Sequence, residues 1–217
     1  MGQRAVVSYV RPDYVRGEFM ESALALAHFS ETTIDTFLPQ RSGPNIVRAR
    51  NAICRKFMTE QTAPWLLMVD TDMVFNPDVL DRLVAAAHPV DRPIVGALCF
   101  SESDNGGEPY STMYEIVQRG PQRTFARYAQ WEEDTLKPVT GTGTGCLLVH
   151  RDALDRIAQA KPLSTVTPWF KEMVLDQLLM GEDLYFCLKA QAAGLPVYVH
   201  TGIQVGHLKS TMLGKVR

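Results

Sequence analysis

The chain has 217 residues, 46% of them hydrophobic and 21% charged, with a formal net charge of −2. That length fits one globular domain with a sizeable core, and the near-neutral balance excludes a global attraction to nucleic acid or anionic membrane. No apolar run approaches the ~18 residues of a membrane span, the opening "MGQRAVVSYV" is too short in apolar residues for a signal peptide, and Cys54, Cys99, Cys146 and Cys187 form no CxxC pair, so they read as small buried hydrophobes of a reducing, cytoplasmic compartment, with a disulfide as the second reading.

Short β-like runs alternate with helical patterns along the chain. "AVVSYV" (Ala5–Val10) predicts a first strand and Gly17–His28 a helix. "TTIDTF" predicts a second strand, and Ile46–Met58 a second helix. Trp65–Val69 is apolar throughout, as a central parallel strand covered on both faces should be. Asn76-Pro77-Asp78 opens another helix, and "RPIVGALCF" supplies the next strand. This order predicts an α/β fold with a mostly parallel central sheet flanked by helices. Ser101–Pro138 has no clear period but contains Gly106-Gly107, scattered charge and several aromatics, so hairpins and loops are expected there. "TGCLLVHRDALDRI" gives a strand feeding a helix. Lys161–Leu179 is ambiguous. Gly181 precedes a helix from Glu182 to about Ala193, stopped by Gly194 and Pro196, and "PVYVH" is the last strand.

The stretch "WLLMVDTDMVF" ends a buried strand in two aspartates, Asp70 and Asp72. Ligands of open α/β sheets bind beyond the carboxyl ends of strands, and two hard oxygen donors there suit Mg²⁺ or Mn²⁺ with phosphates completing the shell. A plain turn before the next helix explains the same residues equally well. The helix upstream adds weight to the first reading. Arg41–Lys56 holds five basic residues and no acid, and this helix runs directly into the aspartate strand, where a guanidinium could meet a diphosphate. Ile46, Ala49, Ile53 and Phe57 share one face of it, Arg48, Asn51 and Arg55 another.

Four elements in order, "ARNAIC", "WLLMVDTD", "GTGTGCLLVHRDAL" and "GEDLYFCLKAQAAGLPV", make the sequence resemble the GT-A nucleotide-sugar glycosyltransferases, particularly the inverting family-two enzymes of compact phage and bacterial type. The resemblance implies a single GT-A domain over residues 1–217, with a nucleotide-binding half up to about residue 100, an acceptor and catalytic half beyond it, and an added hairpin region for the acceptor. It implies a nucleotide-diphosphate sugar donor, expected to be uridine-linked, with Asp70 and Thr71 at the nucleotide and Asp72 on the metal. Ser8, Tyr9 and Arg11 would line the base pocket, although "SYVRP" departs from the proline-threonine or proline-alanine start of many relatives. Arg48 and Asn51 would face the donor, and Gly143, Thr144 and Gly145 would lie beside its sugar. His207 in "GIQVGHLK" matches the family's late metal-ligating histidine, and its nitrogen favours Mn²⁺ over Mg²⁺. His28, His88 and His150 read as structural.

Asp183, second residue of "ED", matches the catalytic base, with Glu182 orienting the acceptor or its loop. The same acids also suit a helix N-terminus, whose dipole would keep Asp183 ionised. The resemblance admits hydroxymethylated pyrimidine in phage DNA as acceptor, or a glycan or protein, in the cytoplasm of a bacterium or an infected host. Arg119, Arg123, Arg127, Lys209, Lys215 and Arg217 would then touch a polyanion. Three rivals stay open: a retaining GT-A transferase, a sugar-nucleotide nucleotidyltransferase (which lacks its Gly-rich N-terminal loop here), and a non-catalytic sugar-nucleotide binding protein.

Overall fold

The computed structural model describes residues 3–43, 45–102, 108–120, 122–160, 167–175 and 178–209. The chain begins β1 (Ala5–Arg11), α1 (Gly17–Phe29), β2 (Ile34–Arg41), α2 (Ile46–Glu60) and β3 (Trp65–Asp70). It continues through β4 (Met73–Val74), α3 (Val79–Ala86) and β5 (Ile94–Ser101). A middle excursion carries β6 (Tyr110–Ser111), β7 (Met113–Arg119), β8 (Gln122–Arg127), β9 (Leu136–Val139) and β10 (Gly141–Thr142). The chain returns in β11 (Cys146–His150) and α4 (Arg151–Gln159), then β12 (Met173–Leu175), β13 (Leu178–Met180), α5 (Glu182–Ala192) and β14 (Val197–His207).

Nine strands form one sheet in the order β2-β1-β3-β11-β5-β14-β4, with β6 added on β5 and β9 on β14. β1 runs parallel to β2 and β3, and β14 parallel to β5. β11 inserts antiparallel between β3 and β5. The centre is covered on both faces, which is why Trp65–Val69 and Cys146–His150 are buried at every position. Ala49, Ile53 and Phe57 of α2, Leu154 and Ile157 of α4 and Phe186 of α5 pack one face. Phe19 and Leu26 of α1 with Leu80 and Leu83 of α3 pack the other. β2 is an edge strand, the place where Pro39 costs no ladder bond. All four cysteines are buried and unpaired. Among the described residues no helix is long and apolar enough to cross a membrane.

The excursion contains the expected hairpin: β7 and β8 pair antiparallel across Gly120, whose φ of 61° favours glycine. The ambiguous stretch resolves in its later part into the β12–β13 pair, while residues 161–166 lie outside the described ones. The last strand is longer than "PVYVH" suggests. β14 shifts register between His200 and Gln204, at Gly202, where a Cβ would collide with Asp134. The alternation of buried positions runs through that kink unbroken, with Thr201, Ile203 and Val205 buried, so His207 ends a strand instead of sitting in a following loop.

Candidate active site

Three strands deliver the aspartate pair and the late histidine to one sheet edge. The Asp70 N–H donates to the Gly145 carbonyl at 3.0 Å, and Thr71 Oγ1 donates to the Val10 carbonyl at 3.2 Å. β14 pairs with β4 so that His207 faces Met73, and the Leu208 N–H donates to the Asp72 carbonyl at 2.8 Å. This backbone knitting brings His207 Nε2 to 3.0 Å from Asp72 Oδ2. The other ring nitrogen, Nδ1, lies 2.8 Å from the Phe100 carbonyl oxygen. A carbonyl can only accept, so Nδ1 carries a hydrogen and Nε2 meets the carboxylate with whatever positive charge the site holds. The hydrogen bond to Asp72 raises the His207 pKa against the opposing effect of burial. Burial tends to raise the Asp72 pKa, but the hydrogen bond and attraction to His207, with a backbone hydrogen bond and Lys209, together outweigh it and lower the pKa.

The donor set fits a divalent cation. A histidine anchored through one ring nitrogen to a backbone carbonyl is the usual arrangement of a metal ligand, and one oxygen with one nitrogen suits Mn²⁺. Among the described residues no group of three or more His, Cys, Asp and Glu side chains could hold a metal. Asp72 and His207 would therefore supply two ligands and leave the remaining positions to a bound anion.

Arg50 is the centre of the site, and it is the residue the sequence reading passed over. Its Nη2 donates to both Asp70 oxygens at 3.0 and 2.8 Å, and its Nη1 donates to Glu182 Oε1 at 2.6 Å. Its side chain is 7% exposed and lies 5.9 Å from the Phe170 ring centre. Burial works against its charge, yet the two carboxylates outweigh burial and raise its pKa. The signal was present: at 100° per residue, position 50 falls on the stripe of Ile46, Ile53 and Phe57, and a guanidinium on an apolar stripe needs buried partners.

Asp183 opens α5 beside this cluster. Its Oδ1 accepts from the Leu184 N–H at 2.8 Å. Burial, with the neighbouring Glu182 adding to it, raises the Asp183 pKa despite Arg50 and the backbone N–H groups.

The "GTGTG" run packs against the same space. A Cβ on Gly143 would lie 3.3 Å from Thr112 Oγ1, and one on Gly145 would lie 2.8 Å from Met73 Cε. Gly145 thus lets the run press against the strand after the aspartates. Thr144 Oγ1 is buried and has no hydrogen-bond partner among the described residues.

Other expected residues are elsewhere. Ser8 is buried, donating to the Leu67 carbonyl at 3.0 Å, and Tyr9 packs edge-on against Phe19. Arg11 and Arg48 are exposed. Asn51 is a structural clasp: its Nδ2 donates to the Val47 and Phe170 carbonyls and its Oδ1 accepts from the Trp169 and Phe170 N–H groups. It has no free group for a ligand. The segment it holds is also tied to α5, because Lys189 Nζ donates to the Pro168 carbonyl at 2.7 Å. His88 and His150 cap local turns, accepting from the Asp91 and Asp152 N–H groups. Arg127 rests 3.3 Å from the Tyr110 ring centre. The side chains of Arg119 and Arg123, and residues Lys215 and Arg217, lie outside the described residues.

Two adjoining cavities share Arg50 and Asp70. One, of about 390 Å³, runs past Thr71 and Asp72 to Pro12, Tyr14 and Arg16. The other, of about 210 Å³, is lined by Phe100, Tyr114, residues 143–145, Glu182, Asp183 and His207. Tyr14, 91% exposed at the mouth of the first, was likewise unread in the sequence.

No protein-family model matches the chain, and no curated protein matches its sequence. Solved structures do. A197 from STIV aligns with a TM-score of 0.54 at 16% identity, covering 95% of this chain and 86% of that one. GalNAc-T7, crystallised with UDP, GalNAc and Mn²⁺, aligns with a TM-score of 0.55 at 10% identity, covering 94% of this chain and 44% of that one. A glycosyltransferase involved in glycosylation of the major capsid of PBCV-1 aligns with a TM-score of 0.49 at 13% identity, covering 96% of each chain. The chain has the GT-A glycosyltransferase fold.

Proposed function

We propose that the protein is a metal-dependent glycosyltransferase that moves a hexosyl or N-acetylhexosaminyl group from a UDP-sugar to an acceptor hydroxyl, with inversion. The observation that carries this reading is the convergence on one cleft of Asp72 with His207, the Arg50 cluster and Asp183. The cavity running toward Tyr14 is the nucleotide side, formed mainly by residues before about 100. The cavity at Asp183 is the transfer side, formed largely by residues after it.

Arg50 fixes Asp70 at the nucleotide side and Glu182 at the transfer side with one rigid fork. Asp183 takes the acceptor hydroxyl proton as the oxygen attacks the anomeric carbon, and a raised pKa makes it a better proton acceptor than an ordinary aspartate. When Mn²⁺ is held by Asp72 and His207, it supplies positive charge for the departing diphosphate. The test is incubation with UDP-glucose, UDP-galactose and their N-acetylhexosamine counterparts in Mn²⁺, measuring released UDP against a chelated control. UDP release that depends on metal and on Asp183 supports the reading; release from no donor counts against it. The anomeric configuration of the product distinguishes inversion from retention.

A further inference from the structure

A separate cavity of about 570 Å³ lies under the loop before β9, lined by Gln130, Trp131, Glu132, Thr135, Leu136, Lys137 and Pro138. Trp131 is half-buried, packed against the core from one side. Its ring centre is 6.4 Å from that of Phe100, and Phe100 lines the cavity that holds Asp183 and His207. The two cavities are therefore joined by a pair of aromatic rings. The Thr201 hydroxyl holds the loop: its Oγ1 donates to the Glu132 carbonyl at 2.7 Å and accepts from the Thr135 N–H at 2.9 Å. Lys137 is fixed over the Tyr128 ring at 4.6 Å. The exposed side chains of Gln130 and Glu132, in contrast, make no hydrogen bond or ion pair among the described residues.

We infer that this cavity is a saccharide subsite, in which a pyranose ring of the acceptor stacks on Trp131 while Gln130 and Glu132 bond its hydroxyls. A sugar ring offers a face of C–H groups to the negative face of an indole and a rim of hydroxyls that need both donors and acceptors. An amide supplies both and a carboxylate accepts. Charge argues against a nucleic acid here. Glu132 and Glu133 are exposed beside the cavity, next to Asp134, which pairs with Arg82, and against the single Lys137 of the lining they disfavour a phosphate backbone. That the sugar belongs to the acceptor rests on the transferase reading. Saccharide binding itself does not.

The experiment uses the whole chain without donor or metal, titrated with maltotetraose, cellotetraose and chitotetraose. Tryptophan emission is a specific reporter, because Trp65 and Trp169 are 1% and 6% exposed and Trp131 alone of the three is open to a ligand. At least one tetrasaccharide should shift that emission. By calorimetry its affinity should fall about tenfold in Trp131→Ala and be largely kept in Trp131→Phe. Gln130→Ala and Glu132→Ala alter exposed positions that do not hold the fold, and each should weaken the same binding. Silence from all three sugars at 20-fold excess over a ~1 mM dissociation constant, binding indifferent to these substitutions, or quenching by duplex DNA instead would each overturn the assignment. Saccharide binding without UDP release would leave the subsite standing and remove the transferase reading; UDP release without saccharide binding would do the reverse.

Discussion

Replacing Arg50 tests the architecture of the cleft most directly. Arg50→Met keeps a long, helix-compatible side chain in α2 but removes the fork joining Asp70 to Glu182. Those carboxylates have side-chain exposures of 28% and 14%, so neither can recover full hydration. Breaking a buried pair by deleting one partner costs about 3–5 kcal/mol, most of it from the charge left behind. Arg50→Lys should cost less than Met but more than a surface change, because one ammonium cannot meet both carboxylates in the fork geometry. Urea unfolding followed by circular dichroism gives the numbers, with an unchanged m-value confirming that the same cooperative unit melts. Adding Glu182→Gln to Arg50→Met should restore part of the loss, since an amide needs no counter-charge, with a coupling of about 0.5–3 kcal/mol. An Arg50→Met protein within ~1 kcal/mol of the parent, or a double variant whose losses simply add, would refute the view that this guanidinium compensates two buried acids.

Asp72→Asn or His207→Ala should leave unfolding nearly unchanged and weaken Mn²⁺-supported UDP binding, and unaltered calorimetric titrations in both would remove them as ligands. Asp183→Asn should lower transfer by about 10²–10⁴ while making the protein more stable at neutral pH. The native carboxyl holds its proton to higher pH than in the unfolded chain, so its contribution falls as pH rises through the native pKa, and the advantage of the amide should vanish below the ordinary aspartate value of about 3.9. Thermal scans across pH check the sign. Asn51→Ala should cost about 1–3 kcal/mol through the buried N–H groups of Trp169 and Phe170 left without an acceptor, measured by denaturation; equal stability would show that another group takes over the clasp.

The sheet's central strands were legible because their burial on two faces writes itself as continuous apolar runs, as in Trp65–Val69. Helix α2 was legible from its stripe, but its polar positions were misjudged. Arg48 and Asn51 looked like the ligand face, whereas the stripe turns Arg50 into the cleft, and Asn51, off the stripe, is buried by the Trp169–Phe170 segment it holds. The stripe marks Arg50 as inward-facing, but no local pattern marks Asn51 or names the partners of either, because Glu182 and the Trp169–Phe170 backbone lie more than a hundred residues away. The length of β14 was hidden for a related reason. Thr201-Gly202 puts a polar residue and a glycine where the apolar alternation should continue, and Asp134 across the gap explains the glycine at the kink. The aspartate pair and His207 were singled out from the quoted motifs, and the structure brings Asp72 and His207 together. The antiparallel insertion of β11 left no mark, since a strand buried on both faces reads the same in either direction.

The span of chain between the cleft's partners has a kinetic consequence. Arg50 and Asp70 are 20 residues apart, whereas Arg50 and Glu182 are 132 apart and Asp72 and His207 are 135 apart. Closing the longer loops costs about 1.7 kcal/mol more chain entropy than the shorter one, so the local half of the ion cluster can form early while the rest waits for α5 and β14 to dock. During synthesis the first hundred residues can emerge with Arg50 already holding Asp70, and the nascent polypeptide still lacks both its acid Asp183 and its histidine. In refolding, nucleotide binding should therefore return after the helical signal, with a lag that lengthens when the docking of the last helix is slowed.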